Sequence, residues 1–187
     1  MSYESYYYNA KSRYYNACSE ITNCENRIRE LQSQRTQKIN QINQLKTDIK
    51  NNEQALSEVK NIIKSESTLN SKIVNIMNKT SDATANYSSM VSSSDVVNKN
   101  LSDVYSNETS ATKSTLTNII NSLNARKNSL ITKIADLKSK LRRAESNLED
   151  IKSGIKTTES NLQDWKRVKT NASIDMEYYR RKMNEED

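Results

Sequence analysis

ITNCENRIRELQSQRTQKINQINQLKTDIKNNEQALSEVKNII, residues 21–63, decides the fold. Ile21, Ile28, Ile42, Ile49, Leu56 and Ile63 fall at sevenfold spacing, and Cys24, Leu31, Leu45 and Val59 stand three residues after members of that series. Extended in both directions, the first set (position a) reads Tyr7, Tyr14, Ile21, Ile28, Arg35, Ile42, Ile49, Leu56, Ile63, Asn70, Met77. The companion set (position d) reads Tyr3, Ala10, Ala17, Cys24, Leu31, Lys38, Leu45, Asn52, Val59, Glu66, Ile73. Seventeen of these 22 positions are apolar or tyrosine, enough to hold one frame without a slip. A sustained period of about 3.5 residues is the signature of a helix packed along a left-handed supercoil.

The second half behaves alike. Ile134, Leu141, Leu148, Ile155, Leu162, Lys169 and Met176 form one set, and Leu137, Ala144, Ile151, Thr158, Trp165, Ala172 and Tyr179 form its companion. Upstream, Leu116, Ile119, Leu123 and Leu130 read as a frame displaced by four residues, which predicts a stutter near Arg126. Between the halves, residues 80–115 hold fifteen Ser or Thr, and the pattern fades. The densest part, SSMVSSSD, predicts a turn, with Ser94 or Asp95 capping the second helix. A linker between separate domains is the competing organisation. A turn is preferred because each flanking helix carries one apolar stripe that needs a neighbour.

The expected architecture is all-α: a single-domain, long antiparallel two-helix coiled-coil hairpin. It has a helix over about 3–85, a Ser-rich turn over about 86–97 and a helix over about 98–184. Folded near residue 93, the chain pairs residues whose numbers sum to about 186, so Ile21 meets Trp165, Leu31 meets Ile155, and Tyr7 meets Tyr179. Composition agrees. There is no proline and one glycine, Gly154, where average usage would supply about nine and about thirteen. A sheet protein needs such residues at its turns. Hydrophobic residues make up 34% of the chain, sufficient for a narrow seam and too few for a thick core. Arg35 and Lys38, then Asn52, Glu66 and Asn70, interrupt the seam; such polar groups fix register at a cost in stability, the favoured reading, or mark where the hairpin admits a partner or water.

Several functions lack their residues. No apolar run approaches the roughly 18 residues of a membrane span, and no basic-then-apolar leader opens the chain. With no histidine, the usual base at neutral pH is missing, and one glycine cannot build a phosphate loop. An enzyme is not expected, nor is a cofactor or a metal. Cys18 and Cys24 lie about 9 Å apart along a helix, too far for a bridge within it, and read as reduced thiols. The net charge of +6 is spread over both halves, 12 basic and 9 acidic residues in the first 90 against 17 and 14 in the rest. That distribution describes a solvated surface more than a nucleic-acid arm. The densest basic runs are KSKLRR (138–143) and YYRRK (178–182); basic residues beside aromatics can grip nucleic acid or an anionic membrane, but the charges around KSKLRR surround the seam instead of forming one face, so a solvated helix is preferred.

The termini stand out. MSYESYYYNAKSRYY (1–15) holds six of the ten tyrosines, and Tyr178 and Tyr179 sit near the other end. Tyr3, Tyr7, Tyr14 and Tyr179 occupy seam positions, as does Trp165, and are structural. Tyr8 and Tyr15 are seven apart on an outward position, with Tyr6 and Tyr178 beside them. An exposed aromatic stripe at helical spacing reads either as a surface on which another helix docks or as chance tyrosines on a polar face; on the first reading these four are the candidate partner-binding residues.

A tyrosine-containing first helix, a heptad arm rich in Leu, Lys and Ile, a short polar turn and the returning INSLNARKNSLITKIADLKSKL (120–141) resemble the WXG-like helical hairpins of bacterial type VII secretion. The likeness is closest to the larger helical partners encoded beside LXG toxins. The resemblance implies a non-enzymatic partner, targeting factor or chaperone. It implies binding to the helical region of an LXG-type toxin, with room for a second small helical protein or self-association. It further implies a bacterial cytoplasmic location with export without a cleaved signal peptide. Two features depart from the family. Trp165 lies in the second helix and not in a Trp-x-Gly turn. The Tyr-x-x-x-Asp/Glu export signal is also lacking, since Lys182 follows Tyr178 and Met183 follows Tyr179 at that spacing. The alternative reading is a structural coiled-coil spacer or scaffold.

Overall fold

The computed structural model describes residues 2–90 and 95–186; the side chains of 84–90, 95–102, 105, 109 and 186 are not described. The chain is an all-α helical hairpin. Helix α1 runs Tyr3–Met90 and α2 runs Asp95–Glu186, with no strand among the described residues. Ser2 caps α1: its carbonyl accepts from the amides of Ser5 and Tyr6, and its hydroxyl accepts from Ser5. The expected turn, 86–97, is helical through Met90 and again from Asp95. Residues 91–94 and the expected capping side chains of Ser94 and Asp95 lie outside the described residues.

The Ser/Thr-rich stretch is more helical than its composition suggests. At its edges Thr80 and Thr115, and beyond them Thr68, Ser71 and Thr117, each donate a hydroxyl to the carbonyl four residues back, at 2.9–3.1 Å. Bonded this way, a hydroxyl stays on the helix surface and does not compete with the ladder.

The helices divide into two compact units, one of Met1–Lys46 with Ser139–Asp187, the other of Thr47–Lys138. In the first, the seam is the one read from the sequence: Ala10, Ala17, Cys24, Leu31, Ala144 and Leu162 are among its buried side chains. The contacts Arg13–Asp175, Tyr14–Lys169 and Lys46–Glu145, with Leu31 against Gly154, bracket the expected antiparallel register. Arg13 and Asp175 both precede an a residue, while Lys46 and Glu145 both follow a d residue. The hairpin therefore has two flanks, one lined by the residues before a (position g) and one by those after d (position e). These pairs are exposed and contribute at most about 1 kcal/mol each; the apolar seam carries the stability. Arg35 is exposed, and Lys38 turns its ammonium to Gln41 at 2.9 Å, so both polar breaks resolve at the surface. Both cysteines are free thiols, Cys24 buried in the seam.

Gly154 leaves room for a methyl group. An added Cβ would meet the Leu31 side chain at 3.6 Å, ordinary contact. Gly154→Ala is expected to stabilise the hairpin by about 0.5–1 kcal/mol through helix propensity, read as a higher denaturation midpoint with an unchanged slope.

In the second unit, Ile49, Leu130 and Ile134 are buried, and Glu53 pairs with Lys138 at 2.7 Å across the e flank. The stutter expected near Arg126 is absent. The inward set runs Leu116, Ile120, Leu123, Lys127, Leu130, Ile134, Leu137 in one frame, each member buried or half-buried, while Ile119 is exposed. Leu116, Leu123 and Leu130 are sevenfold predecessors of Leu137, so the frame was never displaced. Ile119 belongs to the flank.

Two seam polar groups differ in how they are satisfied. Asn52 donates to the Asp48 carbonyl at 2.6 Å. One carboxyl oxygen of Glu66 is shielded and has no hydrogen-bond partner. A desolvated, unpartnered oxygen costs more than an apolar group of like size. Glu66→Leu is expected to raise stability by about 1 kcal/mol, measured by thermal unfolding. An unchanged or lower midpoint would mean that Glu66 is satisfied in solution or that its charge holds the register.

Candidate partner-binding site

Heptad position sorts the terminal tyrosines before any contact does. Around a helix the positions run a, e, b, f, c, g, d, so residues at b lie beside the e flank and residues at c beside the g flank. Tyr8 and Tyr15 are at b. Tyr6 is at g and Tyr178 at c. The four candidate docking tyrosines therefore divide between opposite flanks of the first unit.

On the g flank, Tyr179 stacks on Tyr6, with ring centroids 5.3 Å apart at 20°, and on Tyr3 at 6.5 Å and 30°. Tyr178 meets Tyr179 edge-on at 5.2 Å. These offset stacks and edges are the arrangements that ring quadrupoles favour. Tyr6 is thus the ring that stacks on Tyr179, where the register alone aligned Tyr179 with Tyr7. Tyr178 remains exposed. Beside it, the Arg181 guanidinium bonded to Glu177 holds that carboxyl below its ordinary range, and Glu185 raises the Lys182 ammonium above its own. The surface next to Tyr178 stays zwitterionic at neutral pH.

On the e flank, Tyr8 is 57% exposed and Tyr15 is 60% exposed. Each touches its seam neighbour edge-on, Tyr8 on Tyr7 at 5.6 Å and Tyr15 on Tyr14 at 5.7 Å. That contact leaves most of each outer ring uncovered. Lys11 lies 6.0 Å from the centre of the Tyr8 ring, and Lys169 lies 5.4 Å from that of Tyr14, both cation–π distances. Lys169, a polar interruption of the second seam, thus finds a partner without entering it.

Next to Tyr14 the helices leave an open groove of about 640 Å³, lined by Tyr14, Ile21 and Glu25 from α1 and Lys166, Lys169, Thr170, Ser173 and Ile174 from α2. A smaller one of about 210 Å³ continues past Tyr7, Ser173, Met176, Glu177 and Arg180. Ile174 is exposed at the groove's edge. Sequence reasoning passed it over because it stands off the a/d frame; an apolar residue at an outward position was the available signal. Trp165 is half-buried at its d position, as Tyr3, Tyr7, Tyr14 and Tyr179 are at theirs.

The e flank can therefore receive an apolar ridge beside exposed aromatic edges, with lysines to meet acidic side chains. Among the described residues no helix is long and apolar enough to cross a membrane. No family model matches the chain, and no curated protein and no solved structure is significantly similar to it.

Proposed function

We propose that this protein is a non-enzymatic helical binding protein whose e flank, at the tyrosine-bearing end, captures an amphipathic helix of a protein destined for type VII secretion, the LXG-type toxins being the class its sequence pattern resembles. One observation carries the reading: Tyr8 and Tyr15 project, more than half exposed, from the flank on which their seam neighbours Tyr7 and Tyr14 line two open grooves of mixed polar and apolar character. Solvent-facing tyrosines with buried neighbours are costly ornaments for a free helix and useful anchors for a docked one, because a tyrosine ring buries large area at little cost in rotamer entropy. Lys166 and Lys169 outnumber Glu25 in the groove lining, so the captured helix carries acidic residues beside its apolar face.

The test is a titration of the full chain with the purified N-terminal helical region of an LXG-type toxin. One toxin segment per site with fixed stoichiometry is expected, together with weaker binding at high salt. Absence of binding at any salt would sink the assignment.

A further inference from the structure

The second unit carries an apolar stripe that its own seam does not use. Along α1, position g of successive heptads reads Ala55, Ile62, Leu69, Ile76, Ala83. Ile62 is 47% exposed, Leu69 50% and Ile76 64%. Between residues 50 and 83 no side chain of α1 is buried, and between 103 and 129 no described side chain of α2 is. The seam there is diluted by Asn52, Glu66, Asn70 and Lys127, while apolar residues have moved out to the flank. Apolar residues shared among positions a, d and g make a face that reaches beyond a two-helix seam, which is the pattern of a helix in a larger bundle.

The stripe is a palindrome. Ala, Ile, Leu, Ile, Ala reads the same in both directions about Leu69. An antiparallel copy of α1 with its two-fold axis at Leu69 sets Ile62 against Ile76, Ala55 against Ala83 and Leu69 against itself. The charges agree with that register. At position c, next to g on the outer side, the residues are Glu58, Ser65, Lys72 and Lys79. The same two-fold axis brings Glu58 of one copy to Lys79 of the other, and Ser65 to Lys72, with no like charges opposed. On α2, Ile119 is at position g of this same flank, and in the register that pairs Glu53 with Lys138 it lies within one helical turn of the level of Leu69. Ile119 is exposed too, so the axis passes close to an apolar residue on each helix. A two-fold interface must be self-complementary, and the α1 side of this flank is so in its residue pattern and in its charges.

We infer that the g flank of the second unit binds a second copy of this chain, forming a four-helix bundle in which all neighbouring helices are antiparallel, Leu69 lies on the two-fold axis and Ile119 lies close to it. The surface is distinct from the tyrosine groove, and the inference does not rest on the toxin-binding reading.

Sedimentation equilibrium of the full chain should give a dimer. Leu69→Glu places two carboxylates on the axis at a site already half open to solvent. It should leave helix content unchanged and weaken dimerisation by about a hundredfold or more. Glu58→Lys should weaken it less, and Glu58→Lys with Lys79→Glu should restore it. In a Cys18→Ser/Cys24→Ala background, Leu69→Cys should form a disulfide between chains under mild oxidation, and Ser71→Cys, on the opposite face, should not. A monomer at high micromolar concentration would overturn the inference and leave the stripe to a different protein. A dimer that fails to crosslink through Leu69→Cys, or that the charge swap does not restore, would overturn it by placing the contact elsewhere. Toxin titration of the Leu69→Glu variant separates the two proposals, because the tyrosine groove should bind it with unaltered affinity.

Discussion

Alanine at both Tyr8 and Tyr15 should weaken capture of the helical partner by about 2 kcal/mol or more, the scale of an interface hot spot, while helix content and melting stay nearly unchanged. The asymmetry follows from where the rings lie. Both are more than half exposed, so their removal takes little from the seam. Both are held edge-on by Tyr7 and Tyr14, so the partner does not have to order them on docking. The seam pair should show the reverse. Alanine at Tyr7 and Tyr14 removes half-buried rings and deprives Tyr8 and Tyr15 of their support, so stability falls first and binding follows. The division of the tyrosines between flanks adds a comparison. Alanine at Tyr6 and Tyr178 should spare binding at the e-flank groove, because those side chains lie on the other side with Tyr179. If the Tyr8/Tyr15 double variant bound at full affinity, the exposed rings would be incidental to docking. If only the Tyr6/Tyr178 variant lost binding, the partner would sit on the g flank.

Much of this hairpin could be read without coordinates, for a physical reason: a two-helix seam is a one-dimensional object. Whether a residue faces the partner helix depends on its number modulo seven, and that is visible in Ile21, Cys24, Ile28 and Leu31 as plainly as in the fold. The misreading near Arg126 came from the same arithmetic wrongly applied. Ile119 was grouped with the inward residues because it is apolar, which displaced a frame that Leu116, Leu123 and Leu130 keep. What lies off the seam was less legible. That Tyr8 and Tyr15 point outward follows from position b. That Tyr179 stacks on Tyr6 depends on side-chain rotation and on the approach of the two helices, which heptad position does not specify. The groove by Ile174 and the stripe through Leu69 escaped a reading that scored only a and d, although both are written in the sequence at other heptad positions.

The close approach of the helices at the tyrosine end supplies the second large effect. Ala10, Ala17 and Ala172 are each 0% exposed, the most completely buried side chains among the described residues. A methyl group can vanish from solvent in a two-helix seam only where the backbones come close, and neighbouring large residues then have to turn outward. Tyr14 does so, lying under Lys169 at the edge of the groove. Ala17→Leu should therefore destabilise the hairpin by about 3 kcal/mol, the upper end of the cost of overpacking. The groove offers no relief, because Ala17 at position d faces away from the flank where the groove lies. Helix propensity cannot account for such a loss, since leucine is nearly as good a helix former as alanine. Ala17→Gly is the control: it removes volume and should cost only about 1 kcal/mol, the propensity difference. Chemical denaturation of the three proteins reads both effects. The leucine variant should also bind the partner less well, because spreading the helices moves Tyr14 and the groove it lines. Restoring the volume balance with Ala172→Gly in the same chain should recover part of the lost stability if the two sites share one contact. A leucine variant as stable as the parent would show that the seam has room at Ala17, and the outward turn of the tyrosines would then need a cause other than close packing.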